Sequence, residues 1–464
     1  MVYTKNVFVI ESKSAPDIKE PSETRKRFID CSFGFRHVQC LLLFLCLTVA
    51  YTMRVNISVA IVTMTDNSEN PDFEEFDWDG GVKSILLSSF IWGYTVTQIP
   101  AGPLARKFGP KMCLFVGMLI SGLLNLLTPI AARGGWEFVC ALRAIEGFFQ
   151  GVFFSCVHAL LAKWAPQEER ARLGTFCYAG CQMGTVIMMG LSGVFTSSGL
   201  GWPGIFYFSG GIGIIWCAIW LWLGANSPAQ CHRISSEERE MIEHSLALKE
   251  INGVQQEVSP LKTVVFSIPF LALILTHTAS VFENWMLLTE IPAYLKGVMG
   301  MDMKTNALFS ALPYLGMLIM SFVFVLINNF IVSRNYFSLG ARRKTFNTIS
   351  QWLPAIFLIA LGYITQDNSA AAMIALILTV SLTSAKYLGF MVNHIDLSPT
   401  YAGILMGLAN FIAQVVALLG PLIVGQIVID NTDLEQWRII FWITAAFLFV
   451  GNLAFVAFGK VHPI

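Results

Sequence analysis

The chain has 464 residues, 55% of them hydrophobic and only 13% charged, and its formal net charge at pH 7 is zero. Average soluble proteins carry about 25% charged residues, so this composition and a mean hydropathy of +0.63 exclude a large soluble domain and indicate a polytopic membrane protein. The balanced charge gives no reason to expect a nucleic-acid partner, and the length suits about ten to twelve apolar spans joined by short loops.

Twelve apolar runs follow one another along the chain, and each predicts one transmembrane helix. They cover about 37–63, 82–103, 112–131, 138–161, 174–197, 203–224, 264–294, 306–332, 347–365, 370–393, 402–427 and 438–458. In the long polar interruption after the sixth run, Ser235 and Glu238 predict a capping box at the start of a short amphipathic helix. We therefore divide the chain into a tail (1–36), an N-terminal six-helix half (37–225), a linker (226–262), a C-terminal six-helix half (263–458) and a second tail (459–464).

Basic residues predict the orientation of the chain in the membrane. The first 36 residues contain seven lysines and arginines, whereas the loop at 66–79 is acidic and contains none. By the positive-inside rule the first tail lies in the cytoplasm, and an even number of spans returns the second tail to the same side. No cleavable signal peptide and no acidic dileucine sorting signal is visible. We expect a plasma-membrane protein, with a vesicular or lysosomal membrane as the alternative.

Four of the apolar runs carry charged side chains: Arg54 in the first, Arg143 and Glu146 in the fourth, Glu283 in the seventh and Lys386 in the tenth. Charges at bilayer depth are costly and usually face a bundle interior or a watery cavity. Arg143 and Glu146 are three residues apart and share one helix face, so the alternative is that they only pair and lock helix packing. For Arg54 the alternative is a side chain that snorkels to the outer interface.

The charged runs are the first and fourth of each six-span half. This pattern resembles the major facilitator architecture, in which equivalent helices of two related halves surround one central cavity. We predict an all-α membrane protein with the twelve-helix major facilitator fold of two six-helix halves. Arginine stays protonated and forks onto carboxylate or phosphate, so Arg54 and Arg143 suit an anion. Glu146 can neutralise Arg143 in the empty site, and its protonation or the arrival of substrate would free Arg143.

Several segments resemble the anion/cation symporter family of the major facilitator superfamily, which includes sialin, the vesicular glutamate transporters and sodium–phosphate cotransporters. They are 53–60, 92–102, 143–147, 158–170, 178–185 and 393–405, the last with the specific pattern Asn-His-x-Asp-x-x-Pro-x-Tyr-Ala-Gly. The resemblance implies symport of organic or inorganic anions driven by protons or sodium. It also implies anion-binding roles for Arg54 and Arg143 and a coupling role for Glu146.

The chain departs from the family pattern in its fourth and seventh helices. Gln150 stands where proton-coupled members often have a second glutamate, which puts proton coupling in doubt. Residues 281–285 have the sequence Val-Phe-Glu-Asn-Trp in place of the usual Asn-Trp-x-Phe-Tyr. Together with Lys386, this difference indicates an altered substrate. The arginine and histidine that the glutamate transporters have near Ser280 and Leu87 are missing, so loading of glutamate is not expected.

The predicted function is a secondary active symporter of inorganic phosphate or small organic anions, driven by a sodium or proton gradient through alternating access. The alternative is a transport-like receptor that binds an anion without moving it. We expect a monomer in the lipid bilayer, with no cofactor, no metal site and no enzymatic activity, since no hydrolase or phosphate-loop motif is present. The candidate substrate-binding residues are Arg54, Arg143, Tyr94, Lys386 and Asn284, and the candidate coupling residues are Glu146, Glu283 and His158.

Overall fold

A computed structural model describes residues 33–65, 73–166, 169–196, 199–251, 260–300, 303–430 and 432–464. Most of the predicted first tail, the start of the acidic loop and residues 252–259 of the predicted linker lie outside these ranges. The described residues form helices and connecting turns, and no β-strand occurs among them. All nine cysteines in these ranges are free thiols.

Twelve helical spans correspond to the twelve predicted runs. They are α1 (Phe35–Met64), α2 (Gly80–Phe108), α3 (Pro110–Gly134), α4 (Trp136–Gln150 and Phe153–Trp164), α5 (Arg170–Thr196), α6 (Gly201–Leu223), α7 (Leu261–Val265 and Ile268–Gly297), α8 (Met303–Ser333), α9 (Leu339–Leu361), α10 (Ser369–Leu382 and Phe390–Leu397), α11 (Ala402–Ala417 and Leu419–Ile427) and α12 (Leu434–Phe458). Eight helices in the described ranges are long and apolar enough to cross a membrane by length and composition.

The two halves pack in the same way. In the N-terminal half α1 packs against α5, α2 against α4 and α3 against α6, and in the C-terminal half α7 packs against α11, α8 against α10 and α9 against α12. Adding six to both helix numbers of each packed pair in the first half gives a packed pair in the second half. Two structural repeats require this correspondence. The halves meet where α5 packs on α8 and α2 packs on α11. The predicted fold of two six-helix halves is thus confirmed.

A separate helix, Ser236–Ile251, belongs to the predicted linker, and we call the end of the bundle beside it the linker face. The Ser235 hydroxyl accepts a hydrogen bond from the Glu238 amide at 3.2 Å, which is one half of the predicted capping box. The Glu238 carboxylate serves a different purpose. It accepts from the Phe35 and Arg36 amides and from the Arg36 guanidinium, at 2.7, 3.1 and 3.0 Å. The linker helix is therefore fastened to the start of α1.

Four of the spans that the apolar pattern predicts as continuous helices are interrupted, and the breaks in α4 and α10 lie in the helices that carry candidate site residues. α4 breaks at Gly151 and Val152, where a side chain at Gly151 would collide with α2. α10 passes through a tighter 3₁₀ stretch, Thr383–Tyr387, before Gly389. Such mid-helix 3₁₀ segments often mark functional hinges, and this one carries Lys386. Apolar periodicity did not reveal either break, because both depend on neighbouring helices or on local backbone geometry.

A buried polar trio braces the N-terminal half. The Asn56 amide donates to Asn125 at 2.5 Å and to Ser209 at 3.0 Å, which joins α1, α3 and α6. Hydrogen bonds of this kind between transmembrane helices contribute about 0.6 kcal/mol on average. Asn56 is completely buried in this contact, so the Asn-Ile-Ser sequence at 56–58, which matches a glycosylation acceptor, lies inside the protein.

A second trio braces the C-terminal half through the equivalent helices. The Asn347 amide donates to Thr276 at 3.0 Å and to Asn452 at 2.8 Å, which joins α7, α9 and α12. In each half a single asparagine amide therefore holds the first, third and sixth helices together.

Candidate functional site

A close crossing of α2 and α4 positions the first part of the site. A methyl group added at Gly93 would overlap the Ala144 carbonyl oxygen, and one added at Gly147 would overlap the Phe90 carbonyl oxygen. The two backbones are in direct contact, which only glycine at both positions allows. The crossing brings Phe90 and its neighbours on α2 against the charged turn of α4.

Arg143 and Glu146 form a buried ion pair, each only 2% exposed. The Arg143 guanidinium donates to the Glu146 carboxylate at 2.9 Å. It also donates to the backbone carbonyl oxygens of Met53 and Arg54 on α1, at 2.8 and 3.0 Å. Charge-assisted hydrogen bonds in a buried site are strong, so the pair also fastens α4 to α1. Substrate contact by Arg143 stays a prediction.

Gln150 completes the Arg143 cluster. Its side-chain amide donates to the second oxygen of Glu146 at 3.1 Å, one helical turn away. The Gln150 carbonyl oxygen is buried and has no hydrogen-bond partner among the described residues. An amide at this position cannot take up a proton, so Glu146 is the one titratable group in this cluster beside the arginines.

Arg54 lies in an aromatic cage. Its guanidinium carbon is 4.5 Å from the ring centroid of Tyr51 and 4.8 Å from those of Phe90 and Tyr94. Cation–π contacts of this length contribute about 0.5–2 kcal/mol each, depending on desolvation. The Arg54 Nε atom has no hydrogen-bond partner, and no carboxylate of the described chain forms an ion pair with this side chain. Arg54 therefore faces the bundle interior, and the snorkelling alternative is wrong.

In the C-terminal half, Lys386 and Glu283, the charged residues of the tenth and seventh runs, do not form an ion pair with each other. The Lys386 ammonium, 9% exposed, donates to the Ser280 hydroxyl at 3.4 Å. Glu283 is 1% exposed, and neither of its carboxylate oxygens has a hydrogen-bond partner in the described part of the chain. Lys386 emerges from the 3₁₀ stretch of α10 and reaches α7 one turn before Glu283, which separates the two charges.

Arg54 and Lys386 converge on one central region from opposite halves. The Cys181 thiol on α5 interacts electrostatically with both the Arg54 guanidinium and the Lys386 ammonium. Contacts on one turn of α5 support this placement: Gly184 packs against Tyr51 of α1, and the Gln182 amide donates to the Tyr387 hydroxyl of α10 at 2.8 Å. Asn284, next to Glu283 on α7, is partly exposed.

Tyr94 links the cage to the other half. Its ring covers Arg54, and its hydroxyl accepts a hydrogen bond from Asn410 of α11 at 3.1 Å. Asn410 also donates to Gln98 of α2 at 2.9 Å. A contact of the halves therefore begins directly beside the aromatic cage and continues toward the linker face.

His158 lies in the contact between the two halves and not beside Glu146. The two residues are about 18 Å apart along α4 by helical rise. Its Nε2 atom is 3.1 Å from the Met391 carbonyl oxygen of α10. Its ring centroid is 5.6 Å from that of His394, which is in turn 5.4 Å from that of His277. These three buried side chains, from α4, α7 and α10, form what we call the histidine trio.

An ion network closes the linker face. Asp396 of α10 pairs with Arg343 of α9 at 2.9 Å, and Arg170 of α5 approaches the same carboxylate at 4.0 Å. A cavity of about 1030 Å³ lies beside the network, between the linker helix and both halves. None of the predicted site residues lines this cavity.

Several residues of the site were not predicted from the sequence. Tyr51, three residues before Arg54, and Phe90, four before Tyr94, share helix faces with residues that were singled out. Those spacings could have indicated an aromatic cage. His277 was visible as a histidine within the seventh apolar run, and His394 directly follows the tenth. Their meeting with His158 requires three distant helices and has no local signal.

Comparisons with known proteins agree with this architecture. The model of the Major Facilitator Superfamily matches residues 43–421. The proton:xylose symporter XylE, solved with bound 6-bromo-6-deoxy-D-glucose, superposes with a TM-score of 0.73 over 92% of this chain and 96% of XylE. At 14% identity this likeness concerns the fold.

Three relatives are similar over most of their length. A Drosophila ananassae protein named "Putative inorganic phosphate cotransporter" is 38% identical, over 88% of this chain and 89% of the relative. Human sialin is 36% identical, over 92% and 89%. The vesicular glutamate transporter 1 of Bos taurus is 33% identical, over 94% and 80%. The chain therefore belongs to the anion/cation symporter family of the Major Facilitator Superfamily, a family of multi-pass membrane carriers.

Proposed function

We propose that this protein is a secondary active symporter of inorganic phosphate or small organic anions, driven by a sodium or proton gradient through alternating access. One observation carries the proposal. Arg54 and Lys386 reach the same central region from opposite halves, and neither forms an ion pair with a carboxylate of the described chain. Two cations that lack ion-pair partners in the interior of a membrane protein attract a small anion, which can bind between them.

The geometry also explains why binding would move the protein. An anion held by Arg54 of α1 and Lys386 of α10 joins the two halves at a point where they otherwise carry like charges. Its binding energy is then larger in a conformation that brings the halves together around it, which is the requirement for a ligand to shift that equilibrium. The forked arginine supports carboxylate or phosphate as the group bound.

Glu146 is proposed to control Arg143. In the described conformation the carboxylate neutralises this arginine and accepts from Gln150. Protonation of Glu146, or arrival of the anion, weakens the ion pair and makes Arg143 available as a second guanidinium. Breaking a buried pair without such compensation costs about 3–5 kcal/mol, so the release is coupled to binding.

The names of the relatives support an anionic substrate, since they refer to phosphate, to glutamate and to sialin. We further propose a monomer that acts without a cofactor, with both termini cytoplasmic and a plasma-membrane location. A vesicular or lysosomal membrane is the alternative location. No nucleic-acid partner is part of the proposal.

The test is uptake of labelled phosphate, sialic acid, glutamate and urate by vesicles containing the purified protein, with sodium and proton gradients imposed separately. We expect gradient-driven uptake of at least one anion and its loss in Arg54→Gln. Arg133→Gln is the matched control, because Arg133 is an exposed arginine at the end of α3. Saturable binding without any uptake would favour the receptor alternative, and absence of both would contradict the proposal.

A further inference from the structure

The C-terminal half contains buried titratable groups that the proposed anion site does not use. Both carboxylate oxygens of Glu283 lack hydrogen-bond partners in the described ranges, as do Nδ1 of His277 and Nε2 of His394. All three side chains are at most 2% exposed. Burying a polar group without a partner costs about 1–3 kcal/mol in proteins, and more for a charge. These groups are therefore candidates for a ligand small enough to reach enclosed atoms.

Lys386 connects Glu283 to the histidine trio. Its ammonium interacts electrostatically with the Glu283 carboxylate on one side and with His277 on the other. The Ser280 hydroxyl, to which Lys386 donates, lies three residues from each of them on α7. A row of polar groups thus runs toward the linker face, in the order Glu283, then Lys386 with Ser280, then His277.

The row continues to the contact between the halves. His277 adjoins His394, and His394 adjoins His158, whose ring nitrogen meets the Met391 carbonyl oxygen across that contact. The Tyr178 hydroxyl of α5 lies 2.5 Å from the other ring nitrogen of His158. A row of titratable side chains therefore extends from the middle of the C-terminal half to the contact between the halves at the linker face.

We propose that the coupling ion is a proton, and that Glu283, Lys386 and the histidine trio form its path from the central region to the linker face. The inference rests on the proposed symport function and specifies its coupling. A proton is the ion that an enclosed carboxylate with no partners can hold.

The charges around the trio explain how the proton acts. The facing groups are Lys386 and Tyr387 of α10 and Tyr178 of α5, together with Asp396 of α10, which Arg343 and Arg170 already neutralise. A proton that reaches a histidine therefore lies near a buried ammonium, while the Glu283 carboxylate that it has left is six residues from His277 on α7. Repulsion between like charges is strong at low dielectric. It opposes the contact of His158 with α10, so the proton favours opening of the linker face.

The step conserves charge and atoms. Glu283 takes up a proton from the central region on a carboxylate oxygen. The Lys386 ammonium then gives one of its own protons to His277 and is reprotonated by Glu283, which becomes a carboxylate again, and the histidine trio releases the proton to water when the linker face opens. The anion crosses in the same direction, so the cycle is symport.

The test uses vesicles containing the full chain and the four labelled anions named above. Uptake is measured in sodium-free buffer with an inwardly directed proton gradient, and again with a sodium gradient at equal pH. Exchange of labelled for unlabelled anion without any gradient is the companion assay, since exchange needs no net release of the proton. The variants are Glu283→Gln and His277→Gln, and the control is Glu435→Gln, which alters an exposed carboxylate on α12.

We expect the proton gradient to accelerate wild-type uptake about tenfold without sodium, and both path variants to lose that acceleration while retaining measurable exchange. Exchange also shows that a variant is folded, and the two variants test the path independently. Proton-driven uptake that persists in both variants, or uptake driven by sodium alone, would overturn the inference while leaving the symporter standing. Wild-type protein that neither accumulates nor exchanges any of the anions would overturn the proposed function, and the inference with it.

Discussion

The two halves share one packing scheme but treat their buried charges in opposite ways. In the N-terminal half, Arg143, Glu146 and Gln150 form one hydrogen-bonded cluster that is also tied to the α1 backbone. In the C-terminal half, Glu283 has no hydrogen-bond partner in the described ranges, and Lys386 donates to a hydroxyl and lies over the Tyr387 ring. This contrast is what we expect if the first half is the preorganised anion site of our proposal, with Glu146 as its titratable group, and the second half holds the proposed proton path.

The polar trios support the same contrast. Asn56 lies about 30 Å along α1 from its start at the linker face, whereas Thr276 lies only about 12 Å along the main segment of α7, by helical rise. The first brace is next to Arg143, whose guanidinium is 3.4 Å from the side-chain carbonyl oxygen of Asn56. The second brace is remote from Glu283. The polar trio of the N-terminal half therefore braces that half at the level of its charged side chains. The trio of the C-terminal half braces it between its charged side chains and the linker face.

The largest expected effect is that of Arg143→Met, which leaves Glu146 buried without its cation. We expect the free energy of unfolding to fall by about 3–5 kcal/mol, the usual cost of breaking a buried pair, and anion uptake to be lost. Thermal unfolding in detergent measures the first and vesicle uptake the second. In the matched double variant Arg143→Met/Glu146→Leu, stability should recover without uptake. A stable, fully active Arg143→Met protein would show that the pair neither braces α4 nor contacts the anion.

Gly147→Val tests the crossing that builds the aromatic cage. The added side chain must displace the Phe90 carbonyl of α2, so we expect a loss of about 1–3 kcal/mol, as for overpacked cores. Uptake should fall as Arg54 loses its aromatic neighbours. Gly190→Val on α5 is the control, because that glycine has nothing within 4 Å of the added carbon. Equal unfolding temperatures for the two variants would argue against a tight crossing.

Removing the two braces should distinguish the halves. Asn125→Ala and Asn347→Ala each remove buried hydrogen bonds, and we expect each to lower the free energy of unfolding by about 1–2 kcal/mol. Only Asn125→Ala should also weaken anion binding, because it releases Asn56 beside Arg143. The unfolding temperature and the anion affinity of both variants, measured together, decide whether only Asn125→Ala weakens binding. Similar losses of affinity in both variants would remove the distinction between the halves.

Glu283→Gln should have the smallest effect on stability. Since Glu283 has no partner to lose in the described ranges, we expect the free energy of unfolding to stay the same or rise by about 1 kcal/mol. Glu146→Gln, by contrast, removes an ion pair and should destabilise the protein and uncouple uptake from a proton gradient while anion binding survives. The unfolding temperatures of the two variants, measured side by side, provide the check. A large destabilisation by Glu283→Gln alone would mean that this carboxylate has a structural partner.

Sequence predicted the fold well because its signals are local. Twelve apolar runs give the spans, and the four runs with charges identify α1, α4, α7 and α10 before any coordinates. The Arg143–Glu146 pair was foreseeable because three residues on a helix share a face. These features depend on helical periodicity and bilayer thickness, both of which act on one segment at a time.

The remaining features depend on how helices meet. The separation of Glu283 from Lys386 results from the 3₁₀ stretch in α10, which apolar composition does not encode. The cage around Arg54 requires the backbone contact at Gly93 and Gly147. His158 was predicted as a single coupling residue, yet its surroundings come from α7 and α10. Each case is a contact between segments far apart in sequence.

The most direct test of the proposed anion site is the affinity of a transported anion for Arg54→Gln, Lys386→Gln and the double variant, measured by equilibrium binding of the labelled compound. If the two cations hold one anion, each single change weakens binding about tenfold or more, and the double change costs less than the sum of the two free energies. Wild-type affinity in either single variant would contradict an anion shared between the two halves.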